Sequence, residues 1–98
     1  MIKVCIKKEN ERIKEVTLTG HALYDDFGKD IVCAAVSSIV ITTVNGILSI
    51  DKESIKVDEN VFTIMVLKDE IIINKLINNM INLLNELSLE YPKNIKIL

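Results

Sequence analysis

The sequence is poor in residues that shape loops or stack on ligands. Its 98 residues include three glycines, one proline, two phenylalanines, two tyrosines and no tryptophan. Three glycines do not make a glycine-rich phosphate-binding loop, and so few aromatic rings offer little surface for stacking on bases. The 12 basic and 14 acidic residues are mixed along the chain and give a net charge of −2. Without a basic patch, we expect no direct binding of nucleic acid.

Cysteine and histidine are also scarce. Two cysteines do not make a disulfide framework. A zinc site built from Cys5, His21 and Cys33 would lack both a fourth ligand and the usual ligand spacing. The amino-terminal segment is charged from its first positions and has no apolar core of the length found in a signal peptide. We therefore expect a cytoplasmic protein with reduced thiols, and neither a metal nor another cofactor.

Aliphatic side chains, by contrast, are abundant, and hydrophobic residues make up 49% of the sequence. This length and composition predict a single domain over residues 1–98. Alternation of apolar and polar positions predicts a β-hairpin over residues 2–20 and a second hairpin over 55–66. From about Glu70, apolar residues recur at three- and four-residue steps, which predicts an amphipathic helix that ends before Pro92.

A short last strand in "NIKIL" completes the order ββ-α-ββ-α-β, if residues 31–50 form the first helix. Strands and helices do not alternate as they would in a parallel sheet. The sequence therefore predicts an α+β fold, in which two helices pack on a mixed or antiparallel sheet.

Residues 31–50 carry no charge, and this run is long enough to span a bilayer. Two stripes at helical spacing argue for a buried central helix instead. The polar stripe consists of Ser38, Thr42, Asn45 and Ser49. The apolar stripe consists of Val36, Val40, Val44 and Ile47. No aromatic belt and no cluster of lysine and arginine, of the kind expected of a membrane anchor, flanks the run closely, so we expect no membrane partner. The many β-branched residues would also suit strands.

The start of this helix is the candidate functional site. Asp30 is a favoured N-cap residue, which makes Cys33 the third residue of the helix. Backbone N–H groups and the helix dipole favour an anion there and lower the pKa of a thiol, although the charge of Asp30 opposes this. His21 follows Gly20 at the end of the second strand, where an imidazole can act as general base and acid.

Each of these residues also has an ordinary structural interpretation. A single cysteine near an apolar run commonly fills a core, and a single histidine at a strand end commonly lies on the surface. Spacing alone leaves both interpretations of His21 and Cys33 open. A cysteine hydrolase and a protein-binding module without catalytic activity therefore both remain candidates.

The segments "GHA" and "GKDIVCAAVSS", separated by five residues, resemble the signature of the ribosomal-processing cysteine protease family, Prp. The resemblance extends over the full length of the chain. It implies that His21 is the general base and Cys33 the nucleophile. It also implies supporting roles for Gly20, Asp30 and Ser37.

The same resemblance implies a homodimeric, cytoplasmic bacterial endopeptidase. Its substrate would be the precursor of a large-subunit ribosomal protein, the one numbered twenty-seven. The enzyme would remove a short N-terminal extension from this precursor by cutting after a pair of phenylalanines. The alternative is a non-catalytic ribosome-assembly or protein-binding module. The polar-striped first helix is our candidate for the dimer surface.

The loop between His21 and Cys33 is expected to act as a lid. Gly28 offers a hinge, and Leu23, Tyr24 and Phe27 provide apolar side chains for an empty cleft. We expect a peptide that contains phenylalanine to displace these side chains.

Overall fold

The structure, a computed structural model, describes residues 1–20 and 31–98. The elements follow in the order β1 (Ile2–Glu9), β2 (Arg12–Thr19), α1 (Ile31–Ile50), β3 (Ile55–Asp58), β4 (Thr63–Val66), α2 (Ile71–Glu90) and β5 (Ile95–Ile97). This order confirms the predicted ββ-α-ββ-α-β arrangement, including both long helices.

The five strands form one sheet in the order β3-β4-β2-β1-β5. Strand β5 runs parallel to β1, and all other neighbouring strands are antiparallel, so the sheet is mixed. Val4 lies opposite Leu18, and Val16 lies opposite Ile64. These four side chains are all buried. The register therefore gathers the apolar positions of successive strands on one face of the sheet.

Both helices cover that face. Helix α1 buries Val32, Val36, Val40, Val44 and Ile47, and helix α2 buries Ile73, Ile77, Met80 and Leu84. All of these side chains belong to the same hydrophobic cluster as the buried strand residues. The result is the predicted α+β architecture, a sheet with two helices packed on it.

The opposite face of the sheet carries polar and charged side chains. The hydroxyl groups of Thr17 and Thr63 lie 3.3 Å apart across neighbouring strands. Lys7 Nζ lies 3.3 Å from a carboxylate oxygen of Glu15. These cross-strand pairs keep this face compatible with water.

Helix α1 has the two stripes that its sequence predicts. The residues of the polar stripe are exposed: Ser38, Thr42, Asn45 and Ser49. The residues of the apolar stripe are buried: Val36, Val40, Val44 and Ile47. Among the described residues, α1 is the one helix that is long and apolar enough to cross a membrane. Because its apolar stripe packs into the common core, the structure favours the predicted core helix.

Candidate active site

The direction of the strands places the start of α1 near the end of β2. Strands β2 and β3 both run antiparallel to β4, so they point the same way. The connection between them must therefore carry the chain back across the sheet, and α1 forms most of it. Helix α1 consequently begins at the same end of the sheet as the carboxyl end of β2, at Thr19, which Gly20 follows.

Cys33 lies in the first turn of α1, as the sequence predicts. Its side chain is half-buried, packs against the hydrophobic core and is not in a disulfide. The first turn of α1, from Ile31 onward, contains no acidic side chain. Backbone N–H groups and the helix dipole at this position favour a thiolate. The side chain of Cys33 thus packs on the core on one side and is partly exposed on the other.

Ser37 follows Cys33 by four residues, so the two side chains share one face of α1. Both are half-buried. Their α-carbons are separated by about 6 Å along the helix axis, from the rise of 1.5 Å per residue. Ser37 is therefore placed one turn from the thiol, on the same side of the helix.

Gly20, which follows β2, has a φ of 73°, in the left-handed region that favours glycine. A Cβ on this residue would overlap the carbonyl oxygen of Met1. The chain therefore leaves β2 in a conformation that a residue with a side chain adopts only under strain. This geometry explains why glycine is needed here, and the supporting role of Gly20 in catalysis stays a prediction.

The other predicted site residues lie outside the described residues: His21, Leu23, Tyr24, Phe27, Gly28 and Asp30. The roles of these residues stay predictions. So do the pairing of base with nucleophile, the capping of α1 and the lid.

The sequence patterns did not lead us to predict a cavity in this part of the molecule. A cavity of about 270 Å³ lies between α1 and the β3–β4 hairpin. Its lining consists of Ile41, Val44, Asn45, Leu48, Val57, Glu59 and Phe62. The available signal was the helical spacing of Cys33, Ser37, Ile41, Val44 and Leu48, which places all five on one side of α1. The facing hairpin comes later in the chain, so the sequence pattern did not reveal it.

A second cavity, of about 310 Å³, lies beside the β1–β2 turn. It is polar and includes Arg12 and Asp69, whose Nε and Oδ1 atoms lie 3.6 Å apart. It lies at the opposite end of β2 from Cys33, and its described lining residues include no cysteine. Residues 1–20 and 31–98 contain no cluster of three or more side chains suited to holding a metal ion.

A family model and individual relatives both relate this chain to one family of proteins. The sequence model of the family described as "Cysteine protease Prp" matches residues 1–96. The ribosomal processing cysteine protease Prp of Staphylococcus aureus is 36% identical over 63 residues. That alignment covers 61% of this chain and 59% of the relative, so it spans less than two thirds of the relative's length.

Solved structures match over nearly the whole chain. One is the essential ribosomal processing protease Prp of S. aureus in complex with a covalently linked product peptide. It has a TM-score of 0.84 and 30% identity, and the match covers 99% of this chain and 97% of that one. The S. aureus protease in complex with a substrate peptide has a TM-score of 0.83 and 28% identity, covering 100% of this chain and 98% of that one.

Proposed function

The chain belongs to the cysteine protease Prp family, and we propose that it is a cysteine endopeptidase that acts in ribosome maturation. The observation that carries the proposal is the half-buried thiol of Cys33 in the first turn of α1. It lies in a fold that matches the peptide-bound S. aureus protease with a TM-score of 0.84.

In the proposed mechanism, His21 accepts the proton of Cys33 and the thiolate attacks the carbonyl carbon of the scissile peptide. Backbone N–H groups of the first turn of α1 stabilise the resulting oxyanion. The protonated imidazole then gives its proton to the leaving amine as the C–N bond breaks. Water, deprotonated by His21, hydrolyses the remaining thioester and restores the thiol. The covalently linked product peptide of the S. aureus protease supports a covalent route.

The proposed substrate is the precursor of the large-subunit ribosomal protein numbered twenty-seven. The enzyme removes the short N-terminal extension of this precursor by cutting after two phenylalanines. The ribosomal processing role of the S. aureus relatives supports this choice of substrate class. We propose a cytoplasmic homodimer, with the exposed polar stripe of α1 as its contact surface. The predicted lid, with Gly28 as hinge, opens when the substrate binds.

The test is incubation of the purified protein with the ribosomal-protein precursor, followed by mass spectrometry of the products. The wild type is expected to release one N-terminal peptide, and Cys33→Ala is expected to release none. Cys5→Ala is the matched control, because Cys5 lies in β1 and has no part in the proposed site; it should cleave like the wild type. An intact precursor after incubation with the wild type, together with stable binding to it, would instead indicate a non-catalytic assembly module.

A further inference from the structure

The cavity between α1 and the β3–β4 hairpin lies on the same side of α1 as the thiol. Positions 33, 37, 41, 44 and 48 follow one another at steps of three or four, so their side chains form one continuous row. At 1.5 Å per residue, Ile41 and Leu48 lie about 12 and 22 Å from Cys33 along the helix axis. An extended peptide advances about 3.3 Å per residue. A peptide that runs along α1 from a scissile bond at Cys33 therefore places a residue over the cavity about four to seven positions away.

The walls of the cavity are mostly apolar. Val44 is 8% exposed and Ile41 is 42% exposed, so the helix supplies both a buried floor and an accessible rim. Phe62 and Val57 form part of the facing wall. A cavity of about 270 Å³ is small for a whole ligand and suits one apolar side chain.

The facing wall is held in place by the sheet. The carbonyl oxygen of Phe62 accepts a hydrogen bond from the backbone N–H of Leu18 at 2.9 Å. Val57 pairs with Ile64 across the hairpin. At the turn, the side chain of Asp58 accepts a hydrogen bond from the backbone N–H of Asn60 at 3.0 Å. The shape of the wall is thus set before any ligand arrives, which reduces the entropy lost on binding.

The rim of the cavity is acidic on the hairpin side. Glu59 contributes to the lining, and the neighbouring Asp58 is exposed. A carboxylate at the edge of an apolar cavity complements a peptide in which a lysine or arginine neighbours the apolar residue. Charge and apolarity together describe the occupant as a basic peptide segment with one large aliphatic or aromatic side chain.

We propose that this cavity is a specificity subsite, which binds an apolar side chain of the substrate about four to seven residues from the scissile bond. A lysine or arginine next to that side chain lies beside Glu59. The inference rests on the proposed peptidase function, because it takes the peptide cleaved at Cys33 as the occupant. It places part of the substrate selection on the second half of α1, away from the reacting atoms.

The test compares two peptides in the wild type and in Leu48→Gln. The long peptide reaches about seven residues to both sides of the scissile bond, and the short one reaches about two. Single alanine replacements in the long peptide identify the residue that occupies the cavity. Leu89→Gln is the matched control, because Leu89 is exposed near the end of α2 and does not line the cavity.

For Leu48→Gln, the ratio of kcat/KM between the long and short peptides should fall by about tenfold, the loss expected when an apolar side chain meets a polar wall. The fall should appear as a higher KM for the long peptide, with little change in kcat. Leu89→Gln should keep the wild-type ratio. Glu59→Gln should lower the ratio only for long peptides that carry a lysine. An unchanged ratio in Leu48→Gln overturns the proposal.

Binding measurements separate this inference from the proposed activity. If the wild type cleaves no peptide, anisotropy of a labelled long peptide bound to Cys33→Ala still tests the cavity. Weaker binding in Cys33→Ala/Leu48→Gln supports the subsite, and equal binding overturns it. Sedimentation of Leu48→Gln tests a second copy as the occupant. A shift from dimer to monomer with unchanged peptide binding would assign the cavity to the subunit interface and overturn the proposal.

Discussion

Gly20 lies against Met1 so closely that there is no room for a Cβ. An added Cβ would overlap the Met1 carbonyl oxygen and lie 3.2 Å from the carbonyl carbon. The φ of Gly20, 73°, is also one that residues with side chains rarely adopt. Steric contact and backbone conformation therefore both require glycine at the residue that leads from β2 to His21.

Gly20→Ala is expected to destabilise the fold by about 1–3 kcal/mol, because strain and overlap act together. For a domain of this size, each kcal/mol corresponds to about 4–8 °C in Tm. Gly46→Ala is the matched control: Gly46 lies within α1, and a Cβ there meets nothing within 4 Å. It should stabilise the protein by about 0.5–1 kcal/mol. If thermal unfolding showed that Tm changes in the same direction in both variants, this account would be contradicted.

Cys33 is expected to react with iodoacetamide faster than Cys5. Its position in the first turn of α1 favours the thiolate, whereas Cys5 lies in the middle of β1. The alkylation rate of Cys33 should follow a titration below the ordinary thiol pKa of about 8.5. Mass spectrometry of peptides from timed reactions between pH 5 and 9 measures both sites in one sample. Equal rates for the two cysteines at every pH would argue against an activated thiol.

His21→Ala is expected to lower kcat by about 10²–10⁴-fold, the usual contribution of a general acid and base. The titration of Cys33 alkylation should also shift to higher pH, because the variant lacks an imidazolium beside the thiolate. Peptide binding to His21→Ala/Cys33→Ala, measured by anisotropy, should match that to Cys33→Ala. A purely structural histidine would leave the alkylation profile where it is in the wild type.

Asp51 and Lys68 form an ion pair that joins the end of α1 to the segment after β4. Lys68 Nζ lies 2.8 Å from Asp51 Oδ2. The hydrogen bond from Lys68, followed by one from the backbone N–H of Glu53, lowers the pKa of Asp51 below its ordinary value of 3.8. The hydrogen bond to Asp51 raises the pKa of Lys68 above 10.5.

The two shifts define where the pair contributes to stability. The contribution of Asp51 is present above pH 3.8 and is lost as the pH falls through its lowered pKa; that of Lys68 is present below pH 10.5 and is lost as the pH rises through its raised pKa. Lys68→Met should therefore raise the pKa of Asp51, measured by NMR titration of its carboxyl carbon. The hydrogen bond from Glu53 should keep that pKa below 3.8. Lys52→Met should leave it unchanged; an equal rise in both variants would contradict the pairing.

The periodic patterns of the sequence determined much of the secondary structure of this protein. The alternation of β1 and the two stripes of α1 arise from side-chain periods of about 2 and 3.6 residues, which depend only on neighbours along the chain. The uncharged run also located the start of α1, and hence the place of Cys33 in its first turn. The roles of His21 and Asp30 stay predictions, as does a single domain over residues 1–98.

Contacts between distant segments decided the rest. The parallel pairing of β5 with β1, next to an antiparallel hairpin, joins the two ends of the described chain, and no repeat in the sequence indicates it. The overlap that requires Gly20 comes from Met1, and the cavity beside Ile41 exists because Phe62 faces it. Such contacts depend on which apolar surfaces are buried against each other in the folded chain. A periodic pattern within one segment does not indicate which other segment it will contact.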